Sequence, residues 1–351
     1  MQRLIQSIRL NRSGFSLVEL LVALAIGLVL VAGVATVAVN TGQSHRKLNQ
    51  VSEHLENGRY AMEVLREDLR HAGYFGELYE LPGLPASLPD PCDTDPNTLI
   101  TTTIAGLPLA VQGVNNPTSP PLTCILASDF SAGSDVLVIR RVSTQRTPLA
   151  AINPGRLYLQ ARGRTFAIGV CSSASTCAGT DSSGVALTGT PANLFALTQR
   201  NGIAPADIRA VETHIYFIRP WTETRGDGIP TLARVILTDG GTAPAMTTEP
   251  LVSGIENMQI QYGLDNAASG GTPNDGAPDE YVTNPSDIAD WANVVAVRVS
   301  LLVRQTGATG GYTDATTYDL GEGGITPGGA YQRHVFSTVV RLVNIGGRRE
   351  T

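Results

Sequence analysis

Arg12-Ser13-Gly14-Phe15-Ser16-Leu17-Val18-Glu19 runs straight into Leu20–Val39, twenty residues without a charge. At about 1.5 Å per residue such a run spans roughly 30 Å as a helix, the thickness of a bilayer core. An ordinary secretory signal has an apolar region of about 7–15 residues and its cleavage site follows it. Here the run is longer, and the small residue that marks a cut, Gly14, stands in front. The order predicts cleavage after Gly14 and a mature chain that begins with its own membrane anchor. Arg3, Arg9 and Arg12 flank the N-terminal side, and residues 1–14 hold no acid. That end is therefore expected to stay cytoplasmic while the remainder is exported. His45, Arg46 and Lys47 beyond the run weaken the contrast without reversing it.

Glu19 stands out because a carboxylate in a membrane helix is costly and usually functional. It either faces headgroups at the interface or meets a positive partner. Cleavage would create that partner, the α-ammonium of Phe15, one helical turn away in the same chain or on a neighbouring copy. The block resembles the class III signal of type IV prepilins, with Gly14 at the cut, Phe15 as the new N-terminus and Glu19 fifth from it. The resemblance implies prepilin peptidase as the processing enzyme, N-methylation of Phe15, and an assembly role for Glu19. Many major pilins have a proline in this helix; here none occurs between Phe15 and Leu81.

The helical pattern continues past the membrane. Leu48, Val51, Leu55, Gly58, Met62, Leu65, Leu69 and Ala72 recur at spacings of three and four, one apolar stripe on a continuous helix. Arg59–Glu63 and Glu67–His71 are at i,i+4 spacing on other faces, and Gly73 reads as the C-cap. The stripe is expected to cover a sheet, because a strand-rich region follows. Those runs are 135–142, 156–161, 165–170, 211–219, 232–238, 255–262, 294–304 and 334–343. Val294–Arg304 alternates as a half-buried strand. Val295, Val297, Val299, Leu301 and Val303 lie on one face, with Ala296, Arg298, Ser300, Leu302 and Arg304 on the other. Phe336, Val340 and Leu342 repeat the pattern in the last strand. Stretches 80–130, 171–205 and 263–290 are expected to be surface loops. The fold class is α+β and pilin-like: a long N-terminal helix packed on an antiparallel sheet domain. The expected division is a leader at 1–14, a transmembrane helix at 15–39, its amphipathic continuation at 40–75 and an exported domain at 76–351.

Gly58–Tyr74 looks like the helix end of the minor pilin family PilW, and Trp291–Arg304 with Arg333–Val343 looks like that family's C-terminal half. The resemblance implies a minor pilin that primes or caps the type IV pilus. Its partners would be other minor pilins, the major pilin, prepilin peptidase, the inner-membrane assembly platform and a tip adhesin. It would sit in the inner membrane, domain outward, and then at the pilus tip. The same architecture serves the type II secretion pseudopilin J. A tip-located adhesin or DNA-uptake module is the reading from another class.

The formal charge is −6, and loss of residues 1–14 with their three arginines makes it −9. No basic surface for general nucleic-acid binding is expected from this balance. Cys92, Cys124, Cys171 and Cys177 are an even set in an exported chain, which favours disulfides. Three pairings are open. Cys171–Cys177 closes most easily, and Cys92–Cys124 would then staple a proline-rich excursion. A zinc site lacks the usual ligand spacing. Asp265, Asp275 and Asp279 concentrate oxygens in a glycine-rich stretch and are candidates for calcium, though a solvated acidic turn is the plainer reading. No GxSxG, HExxH or Walker A pattern occurs, so no catalytic residue is named and no enzyme is expected.

Overall fold

The computed structural model describes residues 14, 16–78, 84, 87–96, 109–267 and 270–349, the side chains of 43–49 excepted. Phe15 and most of the expected leader, residues 1–13, lie outside the described residues. The chain divides into two compact units, Met1–Ser52 and Glu53–Thr351.

The first element, α1, covers Leu17–His71. It starts at a cap. Ser16 Oγ accepts the N–H of Val18 at 3.2 Å, and Ser16 O accepts that of Leu20 at 3.1 Å. It stops where Gly73 takes φ +72°, the left-handed turn expected of a glycine after a helix. In the first unit, Leu17–Gly42 is apolar, long enough to cross a bilayer and wholly unburied. Its Thr36 hydroxyl donates to Ala32 O at 2.8 Å, so that polar group is satisfied within the helix.

Among its described residues the second unit contains fifteen strands. Nine form an antiparallel sheet: β1 (Val111–Val114), β2 (Val136–Val142), β3 (Leu157–Arg162), β4 (Thr165–Cys171), β5 (Cys177–Asp181), β6 (Ala186–Gly189), β7 (Ile208–Arg219), β8 (Thr231–Asp239) and β9 (Pro244–Ser253). The order is β1-β2-β7-β3-β4-β5-β6, with β8 on β7 and β9 on β8. The twelve-residue β7 holds the sheet together, because Ile208–Ala210 pairs with β3, Val211–Tyr216 with β2 and His214–Arg219 with β8. A second sheet has the order β11-β10-β12-β15, from β10 (Ile255–Leu264), β11 (Glu280–Val282), β12 (Val294–Arg304) and β15 (Arg333–Arg341). β13 (Tyr318–Asp319) and β14 (Gly324–Ile325) make a small hairpin.

All eight expected strands are present. All three expected loops are corrected in part: 171–205 holds β5 and β6, 263–290 holds β11, and 80–130 holds β1. β4 and β5 approach closely because Gly169 faces Gly179, and the side chain of Leu194 fills the space a Cβ on either would need.

The main core lies between α1 and both sheets. Ala61, Leu65, Leu69 and Ala72 from the helix meet Leu137, Tyr216, Ile218 and Leu232 from the larger sheet. From the smaller sheet come Met258, Ile260, Val297, Val299 and Leu301. The buried line of the helix is rotated from the expected stripe. Met62 is only partly buried, and its place is taken by Ala61, with His54 and Asp68 also buried. Glu63 pairs with Arg66 at 3.0 Å, three residues on, where the sequence suggests Arg59; both spacings are neighbours on a helix. Glu67–His71 is present at 3.6 Å. Gly58 is buried because the ring of Phe336 occupies the space its side chain would take.

β12 departs from the half-buried expectation. Val297, Val299, Leu301 and Val303 face the helix side as read, but Ala296, Ser300, Leu302 and Arg304 are buried as well. Segment 305–332 covers this second face. Gln261 donates to Gly321 O at 3.0 Å, and the Arg304 guanidinium lies 3.8 Å from the Tyr331 ring centroid. Arg333 is held there by Glu256 and by Asp314 at 2.8 Å.

Candidate functional site

The sequence places its functional residues at the start of α1. Gly14 is exposed and outside any helix, and Ser16 caps the helix behind it. Glu19 is exposed in the first turn. Ser16-Leu17-Val18-Glu19 is the spacing of a capping box, and a carboxylate there also suits the positive end of the helix dipole. Glu19 is thus favoured locally before any partner arrives. Sequence reasoning missed Ser16, although its serine-x-x-glutamate spacing was a legible signal. From Leu20 to Gly42 every residue is uncharged. Leu24, Leu28 and Val31 are 61%, 74% and 69% exposed. An apolar surface of this length is unstable in water and is chemically suited to lipid or to other apolar helices.

The domain half of α1 is fastened by a buried polar network. Asp68 is 5% exposed and accepts from His214 Nδ1 at 2.6 Å, Tyr216 OH at 2.9 Å and Arg141 Nε at 2.9 Å. Arg141 also pairs with Glu212 at 2.8 Å, and Arg234 Nη1 donates to Tyr216 OH at 3.2 Å. Burial alone would raise the Asp68 pKa, but hydrogen bonding and the charges of His214 and Arg141 outweigh it and hold it at about 2. Single-sequence patterning does not reveal such a group, because a satisfied buried acid looks like a surface acid. The helix end is closed from far along the chain. Asn344 Nδ2 donates to Ala72 O at 3.2 Å, and Arg348 Nη2 to Gly73 O at 3.0 Å.

The cysteines join as Cys92–Cys124 and Cys171–Cys177. The second bridge links a directly facing pair of β4 and β5. The calcium candidates do not share a ligand sphere. Asp265 accepts the N–H groups of Asn274 and Gly276, and Arg349 Nη1 stands 3.4 Å from its Oδ2, where positive charge is already supplied. Asp279 and Asp275 instead accept the backbone N–H groups of Asn266 and Ala277.

A methylation-type leader, an exposed apolar helix and an antiparallel sheet domain define the type IV pilin-like class. The family model described as Prokaryotic N-terminal methylation motif matches residues 9–35. The model described as Type IV Pilus-assembly protein W matches residues 215–344, from within β7 past the end of β15. Together the two matches support a type IV pilus minor pilin of the PilW family. The C-terminal strands that carried the resemblance fall inside the second match, while Gly58–Tyr74 falls outside it. Among solved structures, a type IV-like pilin from Thermus thermophilus is similar over 39% of this chain and 70% of its own, at 16% identity and a TM-score of 0.22. That likeness is too low to support an argument. No curated protein matches the chain.

Proposed function

We propose that this protein primes or caps assembly of the type IV pilus as a minor subunit. The observation that carries this reading is Leu17–Gly42, a 26-residue helix exposed on every side with Glu19 as its sole charge. Held in the inner membrane, that helix keeps the subunit in reserve. Once prepilin peptidase has cut between Gly14 and Phe15, Glu19 pairs with the methylated amine of Phe15, in its own chain or a neighbour's. Apolar helix packing against other minor pilins and the major pilin then extends the stack. The size of the domain favours a tip position over repetition along a shaft, with the inner-membrane platform and a tip adhesin as further partners.

The test is a deletion strain complemented with the parent chain or with Glu19→Ala, together with N-terminal mass spectrometry of the membrane-extracted protein. The expected outcome is a methylated Phe15 terminus and a loss of surface pili in the deletion that Glu19→Ala does not repair. Retention of Met1, or full piliation by Glu19→Ala, overturns the proposal. Normal pili with defective protein export would assign the chain to a type II secretion pseudopilin role. Normal pili with lost adhesion or DNA uptake would assign it to a binding module.

A further inference from the structure

Asn116, just after β1, is hydrogen-bonded to three other parts of the domain. Its backbone N–H donates to Asp135 Oδ1 at 2.8 Å, and its Nδ2 donates to Glu322 Oε2 at 2.7 Å. Its Oδ1 accepts from Gln259 Nε2 at 3.0 Å. The adjacent Asn115 side chain also bonds Glu322. Asp135 precedes β2, Gln259 lies on β10 and Glu322 is in the β13–β14 turn. Asp135 and Gln259 are 1% and 4% exposed.

The oxygens here outnumber their donors. Asn115 Oδ1, Gln259 Oε1 and Glu322 Oε1 are buried with no hydrogen-bond partner among the described residues. The orientation of Gln259 follows from its neighbours: Nε2 faces the oxygens of Asn116, Gly133 and Asn257, so turning the amide would set oxygen against oxygen. Neither carboxylate pairs with a base among the described residues. Burial pushes Asp135 up to about 7 against the pull of two backbone N–H groups, and the nearby Glu322 adds to the rise. Buried acceptors without donors call for a partner that the described residues do not supply, water or a cation. Oxygen-only donors, two of them carboxylates and two of them amides, suit a hard cation of the calcium class.

We propose that Asn115, Asp135, Gln259 and Glu322 bind a calcium-class divalent cation, with water completing the sphere. The ion pins the β13–β14 hairpin to the two sheets.

The purified full chain in detergent, stripped with a chelator, is titrated with calcium by calorimetry, and its melting temperature is read with and without the ion. One ion binds per chain, with a dissociation constant in the range of roughly 10⁻⁶ to 10⁻³ M, and the melting temperature rises. Glu322→Gln and Asn115→Ala, both on turns, each weaken binding about tenfold or more, a fold-change worth one decade of affinity. Asp275→Asn, in the separate acidic stretch, leaves it unchanged. No heat and no melting shift up to about 10 mM calcium, above the weakest usual protein sites, overturns the proposal in favour of ordinary water. Equal affinity in the parent, Glu322→Gln and Asn115→Ala overturns it in favour of another site.

Discussion

Leu24, Leu28 and Val31 stand more than half exposed, whereas Ala61, Leu65 and Leu69 of the same helix are 0% exposed. The first stretch is apolar all round and stands uncovered among the described residues. The second is apolar on one side only, and that side is filled by the two sheets. The difference shows that helix formation and helix burial are separate problems here. The membrane half is left for an external apolar phase, and the domain half carries the specificity, down to a glycine that admits Phe336 and an acid that meets three partners.

The sharpest way to break this contrast is Asp68→Ala, which leaves Arg141 and His214 without their shared carboxylate. A loss of about 3–5 kcal/mol is expected from breaking a buried ion pair, read by denaturant melts of the full chain in detergent. The same residue has a pH signature. Its folded pKa, about 2, lies below the ordinary 3.8, so its contribution is complete above about pH 4 and fades as pH falls towards 2. Asp68→Asn should flatten that acid limb, and an unchanged limb would show that other groups set it.

Leu65→Ala comes next, at about 2–5 kcal/mol for a large-to-small change in a closed core. Leu28→Ala is its control: exposed and apolar, it should leave domain melting unaltered. Equal losses at both positions would mean that the two halves are not distinct. The smallest effect separates the two disulfides. Cys92–Cys124 spans 32 residues and Cys171–Cys177 spans 6. By loop-closure entropy, removing the first should cost about 1–1.5 kcal/mol more than removing the second. Paired Cys→Ala variants compared by melting would settle the order.

The amphipathic half of α1, its glycine stop and the valine-rich strands β12 and β15 were legible because each carries a strong local pattern. The missed strands lack one. β5 reads Cys-Ala-Gly-Thr-Asp and owes its extended form to pairing with β4 and a seat for Leu194. β9 contains Pro244 and Pro250, tolerable because it pairs only with β8 and has an open edge. The second face of β12 was misread because its cover, 305–332, has almost no regular structure to announce it. At the site, Gly14, Phe15 and Glu19 came from a linear motif. Asp68 is meaningful only through His214, 146 positions away, a relation no window along the chain contains.

Asn344 closes the end of α1 from 272 residues downstream. An element that leaves the ribosome early therefore waits for one made much later before its final turn is sealed. The fold therefore matures as a ring closing on itself and not as a growing front. A chain interrupted before Asn344 would carry its anchor yet keep an unfinished joint where anchor-bearing helix meets cargo.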